Sequence, residues 1–278
     1  MSSDPTPATL RSLQPYADAQ EEIIHSLLQE DPQDYYFRNP NNARWAQFWD
    51  SAWGNRVIPE EEKVVRDPYP IDDSFILPDV VPSSCRVLPK PKNLAGCWEG
   101  FDCKKFLIRD EYREAHRFIL ATFAEERTYS ASIVTGQHGI GLSFSHSTIP
   151  GSQGLSSGKS IFLLCLLLQR LALKLPTILQ IGLEDPILFY KNGVKQLGQP
   201  KSGAAYYAFL SWDHPFRRIW ALVDTNRDLL EPSRALSTGP FFTVEATSPR
   251  HPRFDWVKNL RSATFYMKPW SFSEVLQG

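Results

Sequence analysis

Residues 130–175 constrain the fold more than any other part of the chain. Tyr129-Ser-Ala-Ser-Ile-Val-Thr135 is a short β-prone run. Gly136-Gln-His-Gly139-Ile-Gly141 follows as a glycine loop, and Lys159-Ser160 opens the apolar run Ile161-Phe-Leu-Leu-Cys-Leu-Leu-Leu168. Strand, tight loop and long apolar helix in that order make a β-α unit, whose helix can bury its surface only against a sheet. Seventeen residues, 142–158, stand between the glycine loop and the lysine. Any function assigned to the unit turns on that interruption.

The remaining segments extend the same pattern. Residues 106–123 have helical spacing, with Asp110 as a capping residue and Tyr112, Ala115, Phe118, Ile119 and Phe123 on one side. Thr177-Ile-Leu-Gln-Ile-Gly182 suits a buried strand, and 187–197 reads as a hairpin turning at Asn192-Gly193. Arg218-Ile-Trp-Ala-Leu-Val-Asp224 and Pro240-Phe-Phe-Thr-Val-Glu-Ala246 read as further strands, and 204–212 is an apolar segment of open type. The alternation predicts an α/β fold with a mainly parallel sheet flanked by helices, and the order strand, glycine loop, Lys-Ser and helix within it is that of the P-loop NTPase type.

Upstream, 1–20 is rich in Pro, Ser and Asp and is expected to be disordered. A helix is expected over 19–29, with Ile23, Ile24, Leu27 and Leu28 on one face, and another over 42–53 presenting Trp45, Phe48 and Trp53. Prolines at 59, 68, 70, 78, 82, 89 and 91 predict an extended linker. The boundary is placed near residue 95. That leaves a helical and proline-rich region, 1–95, and an α/β domain, 96–278.

The net charge of −1 and the lack of a Lys/Arg block give no footprint for nucleic acid. Cys85, Cys97, Cys103 and Cys165 have neither C-x-x-C nor zinc spacing, which fits reduced thiols inside a cell. The N-terminus shows no signal peptide, and the run 161–168 is too short to span a bilayer. A soluble protein of the cytoplasm or nucleus is expected.

A nucleotide's phosphates need many donors at close range: consecutive backbone N–H groups, a helix N-terminus, a lysine, and a hydroxyl for Mg²⁺. As it stands the chain misses G-x-x-x-x-G-K-[ST], because the position five before Gly158 is Gln153. Without 142–158 it reads Gly136-Gln-His-Gly139-Ile-Gly141-Lys159-Ser160, a full match between a strand and a helix. The inserted segment holds six serines and three glycines and no charge. Its length is a whole number of codons, and the Gly141 and Gly158 codons permit intron borders. It reads either as a translated intron, which transcript sequencing would settle, or as a genuine surface loop in which Gly158 replaces Gly141 at a geometric cost.

Asp224, closing an apolar strand, suits a residue that holds Mg²⁺ through water. The next residues are Thr225 and Asn226, so an adjacent activating acid is missing, and Asp228 is the nearest other carboxylate. Ser248-Pro249-Arg250 ends the following strand, where Ser248 can sense a phosphate and Arg250 can pair with it; a plain strand-ending turn is the alternative. Asp213-His214 lacks a nucleophile motif, and G-x-x-G-x-G is not the dinucleotide spacing.

On Ile133-Val-Thr-Gly136, the Gly-Ile-Gly141 and Lys159-Ser160 halves of the loop, Trp220-Ala-Leu-Val-Asp-Thr-Asn226, Ser248-Pro-Arg250 and Phe265-Tyr-Met-Lys-Pro-Trp270 with Glu274, the chain resembles a fungal P-loop ATPase module. That module is related to Crinkler effectors and retrotransposon-hot-spot proteins, of AAA/STAND type. The resemblance covers about residues 100–278. It implies ATP and Mg²⁺ as cofactors, with Gly136, Gly139, Gly141, Gly158, Lys159, Ser160, Ser248 and Arg250 around the nucleotide and Ser160 and Asp224 at the metal. Such modules continue into a helical lid, which is expected to be absent from a chain ending at Gly278, and the resemblance also implies a protein partner. Two functions follow as expectations: an ATP/Mg-binding switch or weak ATPase, or a non-catalytic interaction protein or inactive remnant whose phosphate loop 142–158 disrupts.

Overall fold

The computed structural model describes residues 20–21, 24, 37–40, 43–55, 60–63, 84–91, 93–94, 105–125, 129–136, 158–198, 219–225, 229–237, 241–249, 256–259 and 261–269. In chain order these form β1 (Phe37–Arg38), α1 (Ala43–Ala52), β2 (Glu60–Lys63), β3 (Ser84–Pro89), β4 (Lys105–Ile108) and α2 (Asp110–Ala124). There follow β5 (Ala131–Gly136), α3 (Gly158–Ala172), β6 (Thr177–Ile181), β7 (Ile187–Tyr190), β8 (Gly193–Leu197) and β9 (Trp220–Asp224). The last elements are α4 (Arg234–Ser237), β10 (Phe242–Ala246), a 3-10 turn (Trp256–Asn259) and β11 (Ser262–Met267).

Among the described residues the main sheet has eight strands, in the order β1-β8-β7-β6-β9-β10-β5-β11. From β6 to β11 the pairings are parallel; β7, β8 and β1 add antiparallel strands at one side. The fold is α/β, with a mixed sheet that is parallel through its centre. Numbered in chain order, the parallel strands β5, β6, β9, β10 and β11 lie two-three-four-one-five across the sheet. The chain leaves β5 toward one side and later passes β5 again to reach β11. In open α/β sheets such a reversal leaves a crevice at the carboxyl ends of the strands, here between β5 and β10.

The centre is parallel because its strands are apolar on both faces and need cover on both. Trp220 and Leu222 of β9 join Phe242 and Val244 of β10 on the face covered by α1 and α3. Ala221 and Val223 face the other way, with Ile178, Leu188 and Phe241. Helix α3 is apolar almost all round, since it packs on the sheet and against its neighbours on the same face: α1 lies beside it with Trp45 and Phe48 edge-on to Phe189, and Tyr112 of α2 packs on Phe162.

Arg170, two positions beyond the apolar run 161–168, is buried. Its guanidinium lies 4.4 Å from the Trp220 ring centroid, Nε donates to Thr177 Oγ1 at 2.9 Å, and one terminal nitrogen donates to the Pro176 carbonyl at 3.1 Å. Burial brings its pKa down to about 9. The fork is therefore a staple fixing the end of α3 to β6 and β9.

Several sequence expectations are corrected. Residues 106–108 belong to strand β4, whose Phe-Leu-Ile run pairs antiparallel with Arg86–Leu88 of β3. Helix formation starts only at Asp110, which is the first helical residue, while Arg109 holds the cap position with extended backbone and no side-chain cap. The proline-rich stretch contributes β3, which joins β4 across residue 95. The expected hairpin forms, with β7 and β8 antiparallel, but Tyr190 pairs with Gly193, so Lys191 and Asn192 make the turn and Gly193, with its positive φ of 126°, follows it. Helix α1 falls where its aromatic spacing placed it. Of the segment 19–29, Gln20, Glu21 and Ile24 are helical and Ile24 is buried; the rest of that segment, residues 1–19 and 204–212 lie outside the described residues.

Candidate functional site at the carboxyl edge of the sheet

Strand β5 is buried along its whole length because β10 and β11 flank it. Its last residue, Gly136, is a glycine for a steric reason. A Cβ there would stand 2.6 Å from the Met267 carbonyl oxygen and 3.1 Å from the Met267 Cβ. The close approach of β11 is itself held in place. Arg109 donates to the carbonyls of Lys268 at 3.1 Å and Pro269 at 3.3 Å, and the Lys268 N–H donates to Glu111 Oε1 at 3.1 Å.

Helix α3 starts at Gly158, so Gly158, Lys159 and Ser160 form its first turn, all three buried. First-turn N–H groups lack acceptors within their own helix and carry the positive end of its dipole. The Lys159 ammonium donates to the Gly136 carbonyl at 3.2 Å across 23 positions of sequence. The end of β5 and the start of α3 thus meet, with Gly158 preceding the lysine on the helix. Gly139 and Gly141 lie outside the described residues.

Asp224 is the last residue of β9, half-buried, level with Ile181 of β6 and Ala246 of β10. Strand alternation puts it on the same face as Trp220 and Leu222, the face that α3 covers. Beyond β10, the Thr247 N–H donates to the Val134 carbonyl at 3.0 Å, which carries Ser248 alongside the end of β5. Ser248 is 3% exposed, and its hydroxyl has no hydrogen-bond partner among the described residues. A buried hydroxyl left unsatisfied costs about 1–3 kcal/mol, which a ligand at this edge would recover. Arg250, Asn226, Asp228 and His214 fall outside the described residues.

The edge therefore gathers Gly136, Gly158, Lys159, Ser160, Asp224 and Ser248, drawn from β5, α3, β9 and the end of β10. Among the described residues no group of three or more His, Cys, Asp or Glu side chains is placed to hold a metal on its own. One carboxylate and one serine hydroxyl suit Mg²⁺ only if phosphate oxygens and water complete its octahedron, the usual arrangement for that ion. Cys165, on the same helix, is no nucleophile, because burial pushes its thiol up to about 12.

Sequence reasoning missed the residues behind Asp224. The Thr225 hydroxyl donates to Glu245 Oε1 at 2.9 Å, and the Trp256 indole N–H donates to Glu245 Oε2 at 2.7 Å. Glu245 is fully buried. The signal was present: a glutamate stands inside an otherwise uncharged strand, Phe242-Thr-Val-Glu-Ala246, where burial demands partners.

Among the described residues no helix is long and apolar enough to cross a membrane. No protein-family model, curated protein or solved structure matches this chain.

Proposed function

We propose that the chain is a P-loop protein that binds ATP with Mg²⁺ and acts as a nucleotide-dependent switch or weak ATPase. The observation that carries this reading is the Lys159–Gly136 contact at the amino end of α3, beside the β5–β10 crevice. First-turn amides of α3 would receive the phosphates and Lys159 would exchange the Gly136 carbonyl for phosphate oxygen. Ser160 would ligate Mg²⁺, Asp224 would hold the metal's water, and Ser248, with Arg250, would sense the terminal phosphate. Gly139 and Gly141 would add amides from the loop. Weak rather than fast hydrolysis fits Thr225 standing where an activating acid would follow Asp224. Closure on nucleotide would then alter contacts with a protein partner.

The second reading is an interaction protein without catalysis, or an inactive remnant. It is favoured by residues 142–158, which interrupt the run of amides a phosphate nest needs. Titration of a fluorescent ATP analogue in Mg²⁺, against the full chain and against a chain lacking 142–158, separates the two. Saturable binding by the full chain is expected. Binding by the shortened chain alone would favour the second reading, and binding by neither would overturn the nucleotide site.

A further inference from the structure

Glu245 lies on the opposite face of the sheet from Lys159, because Val244 and Ala246 point toward α3 and side chains alternate. With no exposed surface, it cannot touch a ligand in the crevice. A carboxylate so placed is a costly way to fill a core, since burying a charge needs close hydrogen-bonding partners, and an apolar side chain of similar size would serve the fold as well or better. Its partners sit in informative places. One oxygen takes the hydroxyl of Thr225, the residue that follows Asp224. The other takes the indole N–H of Trp256, in the segment that follows Ser248.

We infer that Glu245 is a positioning residue for the Mg²⁺ site, fixing Asp224 through Thr225 and anchoring the segment after Ser248 through Trp256. This rests on the nucleotide reading above. Thr225 is clamped twice to β10, since its N–H also donates to the Ala246 carbonyl at 3.1 Å. The turn leaving β9 therefore has no freedom to rotate the Asp224 backbone away from the crevice. The hydroxyl–carboxylate bond is charge-assisted and among the stronger kinds a side chain can make. Because the network lies behind the strand ends, it can align Asp224 without competing with it for metal or water. Nucleotide affinity has two parts here: phosphate capture by α3, and the gain that Mg²⁺ adds through Ser160 and Asp224. Only the second depends on the Glu245 network.

The test uses the full chain and a fluorescent ATP analogue, titrated with excess Mg²⁺ and again with EDTA. Thr225→Val keeps the shape and removes the hydroxyl. It is expected to lower affinity in Mg²⁺ by about tenfold, the size of a lost hydrogen bond to a charged group, and to leave affinity in EDTA unchanged. Thr225→Ser restores the hydroxyl and is expected to restore the Mg²⁺ gain. Trp256→Phe, at a half-buried position, keeps an aromatic ring and drops only the N–H, so it tests the other end of the network if Thr225→Val fails to fold. It is expected to lose part of the same gain. A merely structural role would change both titrations equally, and that outcome, or an undiminished Mg²⁺ gain in Thr225→Val or Trp256→Phe, overturns the inference. A wild-type chain that binds nucleotide in neither buffer overturns the nucleotide reading itself, and the inference with it.

Discussion

The Lys159 ammonium rests 3.2 Å from the carbonyl oxygen of Gly136, although the two residues are 23 positions apart in the chain. The end of β5 and the start of α3 are thus brought together by the fold around them. A lysine buried at a helix's positive end serves the fold poorly, because dipole and burial both disfavour its charge. Lys159→Met should accordingly leave the urea-unfolding free energy within about 1 kcal/mol of wild type, the scale of a hydrogen bond such as the one to Gly136. A loss of several kcal/mol would mean that Lys159 is there for structure.

Gly136→Ala should be far more damaging to the fold than its size suggests. The added methyl would meet the Met267 backbone oxygen at 2.6 Å, and a backbone atom cannot swing aside as a side chain can. Relief requires β11 to shift against the hooks that Arg109 and Glu111 place on Lys268 and Pro269. A loss of about 2 kcal/mol is expected from overpacking of this kind, measured from the urea-unfolding midpoint.

Arg170 gives a ranking. Arg170→Ala removes two hydrogen bonds and the packing over Trp220, and should cost about 3 kcal/mol. Arg170→Lys keeps charge but loses the planar fork, and should fall between Ala and wild type. Arg170→Leu keeps most of the volume and removes a buried charge, so it should cost less than Arg170→Ala. Equal unfolding midpoints for Arg170→Ala and wild type would remove the staple from the account.

His116 sets a pH dependence. Burial first, and the nearby Arg170 charge second, lower its pKa from 6.5 to about 4. The native state therefore binds this proton less readily than the unfolded chain. The histidine's contribution to stability is complete above about pH 6.5 and is lost as pH falls through the window toward about 4. Thermal melts of His116→Gln should show a shallower decline across that window than wild type. In Arg170→Leu the His116 titration, followed by NMR, should move upward.

The strands and helix that frame the site were legible because each is a local signal. Apolar runs mark β5, β6, β9 and β10, and Lys159-Ser160 marks the start of α3. Their order across the sheet was not legible, since it depends on which strands meet after long connections. Residues 106–108 were drawn into the helix that follows them because Phe106 suits the helical spacing, whereas what makes them a strand is β3, some twenty residues upstream. Arg170 stands just past an apolar run, and its burial depends on Trp220 and Thr177, which meet it only in the folded chain. Glu245 was read as one more strand residue. Its partners, Thr225 and Trp256, come from segments on either side of it in sequence and meet only in the folded chain.

The most direct test of the central claim is calorimetric titration of ATP in Mg²⁺ into the full chain and into Lys159→Ala. The account predicts saturable binding by the full chain, and a loss of at least about tenfold in affinity in the variant, the scale set by a charge-assisted contact to phosphate. Circular dichroism and melting temperature should be little changed. Absence of binding in the full chain, or equal binding by a folded Lys159→Ala variant, would contradict it.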